Sequence, residues 1–172
     1  MFEIGSTVLY GSDGVCTVQD IIHKEVGGVS GEYYVLESVY QRNSTVFVPL
    51  ANERLVSKMR LTLSGDELFA VVEGLGDRPL IWIDDEADRK VAYRSIISRG
   101  DCTELMLLVL TLLDHKRTQE AKGKKLHASD DRFLKTAERM VNDEFAVALG
   151  IDPADAPELI AQRLDRARQA KA

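Results

Sequence analysis

Cysteine, tryptophan and proline are scarce in this 172-residue chain, which contains two, one and four of them respectively. The two cysteines, Cys16 and Cys102, are far apart and have no CxxC or Cys/His spacing around them, which excludes a zinc site. The longest apolar run, residues 105–113, is interrupted by Thr111 and is much shorter than the ~20 residues of a membrane span. No secretory signal precedes the first predicted strand, so we expect a cytoplasmic protein without membrane contact.

Positive charge is also in short supply, because 28 Asp and Glu residues outnumber 22 Lys and Arg residues and give a formal net charge of −6. A dedicated nucleic-acid-binding protein is usually basic, so any DNA contact has to be local. A local excess of positive charge exists between residues 89 and 135, which contain eleven basic and six acidic residues. The composition therefore allows one basic surface on an acidic protein.

No group of catalytic residues stands out in the sequence. His23, His115 and His127 are scattered over a predicted strand, a helix end and a loop, and no serine lies in a GxSxG elbow. The acidic run 84–88 has Arg89 where an EF-hand loop needs glycine, and acids in a first helical turn explain the run better. We expect no enzymatic activity, no cofactor, no resident metal and no small-molecule substrate.

The first sixty residues consist of short β-branched and aromatic runs separated by glycines. Apolar residues alternate or cluster in five such runs, at residues 7–10, 15–22, 33–40, 45–49 and 55–59. Gly11 and Gly14 supply the first turn, and Gly27 and Gly28 supply the second. The pattern predicts a small antiparallel barrel of the kind that binds other macromolecules.

Helical periodicity replaces the strand pattern after residue 62. Helices are predicted from the Ser64–Glu67 capping box, from about Asp84 to Arg99, from Asp101, from Ser129 to Gly150 and from Asp152. The helix that begins at Asp101 is apolar on nearly all sides and should be central. We expect residues 115–127 to form a basic loop and residues 74–79 to let the helical domain reorient. The predicted fold class is α+β, with a barrel at residues 1–61 and an all-helical domain at residues 62–172.

Several motifs follow one another in a fixed order along this chain. They are Phe2-Glu-Ile-Gly5, Val8-Leu-Tyr10-Gly11, Tyr33-Tyr-Val-Leu36, Val46-Phe-Val-Pro49, Trp82-Ile83-x-Asp85, Arg89, Tyr93, Gly100-Asp101, Gly123-Lys-Lys-Leu126, Asp130-Asp131, Ala137-Glu138 and Glu144-Phe-Ala146. This ordered set resembles the CarD/CdnL family of bacterial transcription regulators over residues 1–150. The N-terminal, Tudor-like domain of that family recurs in the transcription-repair coupling factor. The resemblance implies a five-stranded antiparallel Tudor-like barrel that binds the RNA polymerase β subunit. It also implies a helical domain that contacts promoter DNA near the upstream edge of the bubble.

The resemblance also assigns candidate site residues. It implies polymerase contacts by Lys24, Phe47, Val48 and Pro49, and DNA contacts by Trp82, Arg89, Lys90, Tyr93, Arg94, Lys124 and Lys125. Polymerase-contacting members of the family carry a basic residue at the position of Phe47, so contact with the β subunit should be more apolar here. The alternative is an adaptor that binds polymerase without touching DNA, which would suit the acidic net charge.

Two of these assignments have a purely structural alternative. Trp82 either enters the minor groove as a wedge or packs as a plug, and the carboxylates at positions 84–88 oppose contact with phosphates. The spacing of Arg89, Lys90, Tyr93 and Arg94 predicts one shared helix face, opposite Ala87, Val91 and Ile96. That face either contacts DNA or is simply solvated, and the same two alternatives apply to the loop 122–125.

Overall fold

The computed structural model describes every residue from Met1 to Ala172. The chain divides into two compact units, Met1–Thr62 and Leu63–Ala172, whereas the sequence pattern placed the boundary one residue earlier. The first unit contains a five-stranded antiparallel sheet, and the second unit is entirely helical. This architecture confirms the predicted α+β class and is consistent with a Tudor-like domain followed by a helical domain.

The strands of the N-terminal unit are β1 (Thr7–Tyr10), β2 (Gly14–Val26), β3 (Val29–Ser38), β4 (Thr45–Pro49) and β5 (Met59–Leu61). They are arranged in the order β4-β3-β2-β1-β5, so β4 and β5 are the two edges of the sheet. Gly27 and Gly28, both with positive φ, connect the long strands β2 and β3 in a tight hairpin. Edge strands leave backbone hydrogen-bonding groups unpaired, so β4 offers a place for another strand to pair.

Alternation along the strands builds the core of this unit. Its buried side chains come from all five strands, and they are Val8, Tyr10, Cys16, Val18, Tyr34, Leu36, Val48 and Met59. The ring of Phe2 packs edge-on against Tyr34, and the Phe2 backbone N–H donates to the Tyr34 hydroxyl. The start of the chain is therefore held against the sheet.

The fifth strand does not lie where the sequence pattern predicted it. Residues Glu53–Val56 form a one-turn helix, α1, because the Asn52 side chain accepts a hydrogen bond from the Leu55 N–H and caps that turn. Strand β5 follows at Met59–Leu61 and pairs with β1. Of the strand predicted at residues 55–59, only Met59 is in a strand, so the prediction is wrong for residues 55–58.

The helices of the second unit are α2 (Gly65–Gly74), α3 (Glu86–Arg99), α4 (Cys102–Ala121), α5 (Ala128–Leu149) and α6 (Ala156–Lys171). The predicted capping box is present at the start of α2, where Ser64 and Glu67 satisfy each other's backbone N–H groups. Gly100 and Gly150 end α3 and α5 in the left-handed conformation. No helix combines the length and apolar character that crossing a bilayer requires.

Two helical predictions are corrected by the structure. Residues 115–121 belong to α4 and not to a loop, because their polar side chains continue the helix on its exposed side, leaving only residues 122–127 between α4 and α5. Residues 74–79 lie inside the helical unit, where Arg163 and Lys171 of α6 form ion pairs with Glu73 and Asp77. That segment therefore does not link the two units.

Candidate polymerase and DNA interfaces

Lys24 and Phe47, which are predicted to contact polymerase, lie together on the sheet. Phe47 belongs to the edge strand β4 and is 41% exposed, and the Lys24 ammonium lies 4.1 Å from the centroid of its ring. This is the distance of a cation–π contact, which holds the lysine stem along the aromatic ring. The pair presents an apolar surface with one positive charge beside a free strand edge.

Val48 and Pro49 differ from that pair. Val48 is completely buried in the core of the sheet, because successive residues of a strand point to opposite faces and Phe47 points outward. Its side chain is therefore a core residue and not a contact residue, which corrects the prediction. Pro49 is partly buried at the end of β4, and its role stays a prediction.

The predicted basic face of α3 is wrong in the structure. Arg89 and Tyr93 are buried, with exposed fractions of 6% and 0%, whereas Val91 is 67% exposed. The buried residues of α3 are Arg89, Tyr93, Ile96 and Ile97. Tyr93 lies four residues after Arg89, and the other two follow Tyr93 at three and four residues, so all four share one face of the helix. Lys90 and Arg94 lie on the surface. They are the only two of the predicted α3 residues that remain candidates for phosphate contacts.

The internal partner of Arg89 is Asp130, in the first turn of α5. Nε and Nη2 of Arg89 donate to the two carboxylate oxygens of Asp130, each at 3.0 Å. Asp130 is 1% exposed, and the hydrogen bond to its carboxylate raises the pKa of Arg89. Because its guanidinium is buried and paired, Arg89 adds no positive charge to the surface. The prediction that Arg89 contacts DNA is therefore corrected, and the residue is a buried structural cation.

Trp82 lies in the segment between α2 and α3 and is partly buried. Its ring stacks on His115 of α4 at a centroid distance of 3.6 Å, with an interplanar angle of 15°. The Arg89 guanidinium lies 4.4 Å from the same ring, and the indole Nε1–H donates to Asp84 at 3.0 Å. The structure thus shows the packing of a plug, although Trp82 as a residue is only partly buried.

The loop 122–127 carries the densest exposed positive charge of the helical unit. Its lysines, Lys122, Lys124 and Lys125, are exposed and form no ion pair. At the end of the loop, His127 Nε2 lies 3.7 Å from Glu86 Oε1, and the same oxygen accepts a hydrogen bond from Lys90 Nζ at 2.5 Å. Glu86 therefore places Lys90 beside the end of this loop.

A separate pocket of about 350 Å³ opens between α2, α4, α5 and α6. Its lining combines apolar side chains with charges of both signs, among them Asp114, Asp165, Arg117 and Arg168. Burial raises the pKa of Glu138, which also lines the pocket. None of the predicted site residues lies there, and the mixed lining selects no class of ligand by charge.

The N-terminal unit is, by its geometry, a small antiparallel β domain with an open edge suited to a protein partner. Residues 2–60 match the model of the CarD-like/TRCF RID domain. This family match supports the prediction that the N-terminal unit is an RNA polymerase-interacting domain of the type found in CarD-like proteins and in the transcription-repair coupling factor. The matched residues end at position 60, so the resemblance of the helical unit to CarD/CdnL proteins in particular stays a prediction.

Sequence reasoning did not find the residues that hold Trp82 in place. His115 was assigned to a loop, and Asp130 was seen only as part of a helix-start motif. Thr111 was noted only as a break in an apolar run, although its hydroxyl is buried and accepts a backbone N–H from the Trp82 segment. A buried threonine and an acid opposite an inward arginine are recognisable only once the helices have been placed against one another.

Proposed function

We propose that this chain is a cytoplasmic, bacterial transcription regulator that binds the β subunit of RNA polymerase and changes the stability of promoter open complexes. The observation that carries the proposal is the match of residues 2–60 to an RNA polymerase-interacting domain whose edge strand β4 presents Phe47 beside Lys24. Backbone pairing at a strand edge supplies affinity, and the exposed side chains next to it supply specificity.

The helical unit supplies the DNA contact in this proposal. Three unpaired lysines in the loop 122–125, together with Lys90 and Arg94 on the surface of α3, supply the positive charge for this contact on an acidic chain. Contacts of this kind bind phosphates and do not read bases, so the promoter is selected through the polymerase. Trp82 lies in the same unit, is only partly buried and is the candidate for a wedge contact with the DNA.

The regulator acts on the equilibrium between closed and open promoter complexes. A protein shifts such an equilibrium only by binding one state better than the other. A coupling free energy of ~1–3 kcal/mol changes the equilibrium by roughly 5- to 150-fold.

The second candidate function is an adaptor that binds polymerase and leaves DNA alone. The net charge of −6 and the internal use of Arg89 favour it. The Trp82→Ala variant of the full chain separates the two functions when its affinity for purified β subunit and the lifetime of open complexes are both measured. The regulator predicts unchanged affinity and a lost effect on lifetime, whereas an unchanged effect on lifetime supports the adaptor.

A further inference from the structure

We propose that the buried Arg89–Asp130 ion pair is a positioning device for Trp82. It fixes the backbone that follows the tryptophan, while Thr111 and Tyr93 hold the residue before it, so that the indole is held in one orientation before any partner binds. The relevance of this orientation to promoter DNA rests on the proposed function, but the positioning itself is a property of the free protein.

The segment around Trp82 is held by side chains of the neighbouring helices. The Ile81 N–H donates to the Thr111 hydroxyl at 3.0 Å, and the Tyr93 hydroxyl donates to the Ile81 carbonyl at 3.3 Å. On the other side of Trp82, Nη1 of Arg89 donates to the carbonyls of Ile83 and Asp84, at 2.9 and 3.1 Å. Four backbone groups that a loop would normally offer to water are thus bound internally.

Arg89 is suited to this task in a way that a lysine or an apolar residue is not. It lies in the first turn of α3, where the helix dipole disfavours a cation, so its position is unfavourable without Asp130. Asp130 lies in the first turn of α5, where a carboxylate is favoured. The planar fork of the guanidinium reaches the carboxylate with one edge and the two carbonyls with Nη1, which a single ammonium group does not reproduce.

A buried ion pair of this type contributes little net stability, because desolvation of the two charges offsets their attraction. What the pair adds is geometry, since Arg89 binds the backbone next to Trp82 and also lies over its ring at 4.4 Å. His115 completes the arrangement by stacking on the ring. Replacing both charged residues with apolar residues of similar size should therefore preserve the fold and release the tryptophan.

Fluorescence measures this directly, because Trp82 is the single tryptophan of the chain. The test compares the full-length wild type with Asp130→Asn and with the double variant Arg89→Met/Asp130→Leu. We expect a red-shifted emission maximum, a lower anisotropy and a rise of about twofold in the acrylamide quenching constant, as a locally released segment shows. Far-UV circular dichroism should be unchanged in the double variant.

Arg99→Met is the matched control, because Arg99 also binds a carboxylate with Nε and Nη2, that of Glu104, at the exposed end of the same helix. Its tryptophan emission should equal that of the wild type. If the folded double variant keeps the wild-type emission, quenching and anisotropy, the positioning role is wrong. If Trp82 is released but open-complex lifetimes with polymerase do not change, the positioning role stands and the proposed DNA function of Trp82 fails.

Discussion

At the scale of single residues, the exposure of Phe47 allows effects on partner binding to be distinguished from effects on folding stability. Its ring is 41% exposed on the edge strand β4, whereas the next residue, Val48, is fully buried. Substitutions at Phe47 should therefore act on a partner and leave the core unchanged. Substitutions at Val48 should act on stability instead.

We expect Phe47→Glu to weaken binding of the full chain to purified β subunit at least tenfold, or about 1.4 kcal/mol, because a carboxylate is desolvated at an apolar contact. Phe47→Leu, the matched control, keeps an apolar side chain and should lose much less. The two affinities can be measured by titration, with thermal midpoints recorded to confirm folding. Equal affinities for the two variants would contradict a side-chain contact at this position.

Burial of His115 should make the stability of the folded protein depend on pH. Burial lowers the pKa of His115 from its ordinary value of 6.5, so the folded protein favours the neutral imidazole stacked on Trp82. The unfolded chain takes up a proton as the pH falls through about 6.5, whereas the folded chain does so only at lower pH. The stability contributed by neutral His115 is therefore complete above that value and is lost as the pH falls below it.

The measurement is the thermal midpoint of the wild type and of His115→Gln between about pH 7.5 and pH 5, the range in which histidine titrates. The wild type should lose more stability than the variant across this range. His23→Gln, in the N-terminal unit, is the control and should follow the wild type. Parallel curves for wild type and His115→Gln would show that burial of His115 has no energetic consequence.

At the scale of elements, local patterns predicted most helices and strands but not their ends or their inward faces. The capping box at Ser64 and the glycines after α3 and α5 are short-range signals and were recognised correctly. The burial of Arg89 depends on Asp130, which is 41 residues away and on another helix. Such a pairing is set by tertiary packing, so a spacing rule on one helix placed Arg89 on the wrong face.

The predicted end of α4 was wrong for a related reason. Polar residues after His115 resemble a loop when read alone, but they lie on the exposed side of a helix that is already nucleated and packed. The alternating pattern predicts the strands of the N-terminal sheet, whereas Phe47 and Lys24 are assigned as polymerase contacts by the family resemblance alone. Their mutual contact depends on the order of the strands, which a single sequence does not specify.

The short loop after α4 should be the first site of cleavage within the helical unit. Residues 121–125 are all exposed, whereas α4 is buried along much of its length. A lysine-specific protease at low concentration should cut after Lys122, Lys124 or Lys125, and mass spectrometry of the early fragments would identify the site. Early cleavage after Lys116, inside α4, would contradict this arrangement of helices.

At the scale of the whole molecule, an acidic protein acts on DNA only where its basic residues are concentrated and where a partner brings it close. In the proposed function, the loop lysines meet the first condition, and the domain that matches the CarD-like/TRCF RID model meets the second. The Lys122→Ala/Lys124→Ala/Lys125→Ala variant should therefore flatten the salt dependence of promoter-complex stabilisation. Each lost phosphate contact lowers the slope by about 0.9.

Sequence preference among promoters should not change in that variant, because phosphate contacts carry no sequence information. Arg166→Ala, an exposed cation of α6 outside the basic loop, is the matched control and should keep the wild-type slope. A triple variant that stabilises promoter complexes as well as the wild type at every salt concentration would favour the adaptor.

The most direct test of the central claim is the lifetime of open complexes formed by purified bacterial RNA polymerase on a linear promoter, measured with saturating full-length protein. The account predicts that the wild type changes this lifetime by about 5-fold or more. At a concentration that half-saturates the wild type, Phe47→Glu should leave the lifetime near that of polymerase alone. A lifetime that the wild type does not alter, or that Phe47→Glu alters equally, would contradict a regulator that acts from the β subunit.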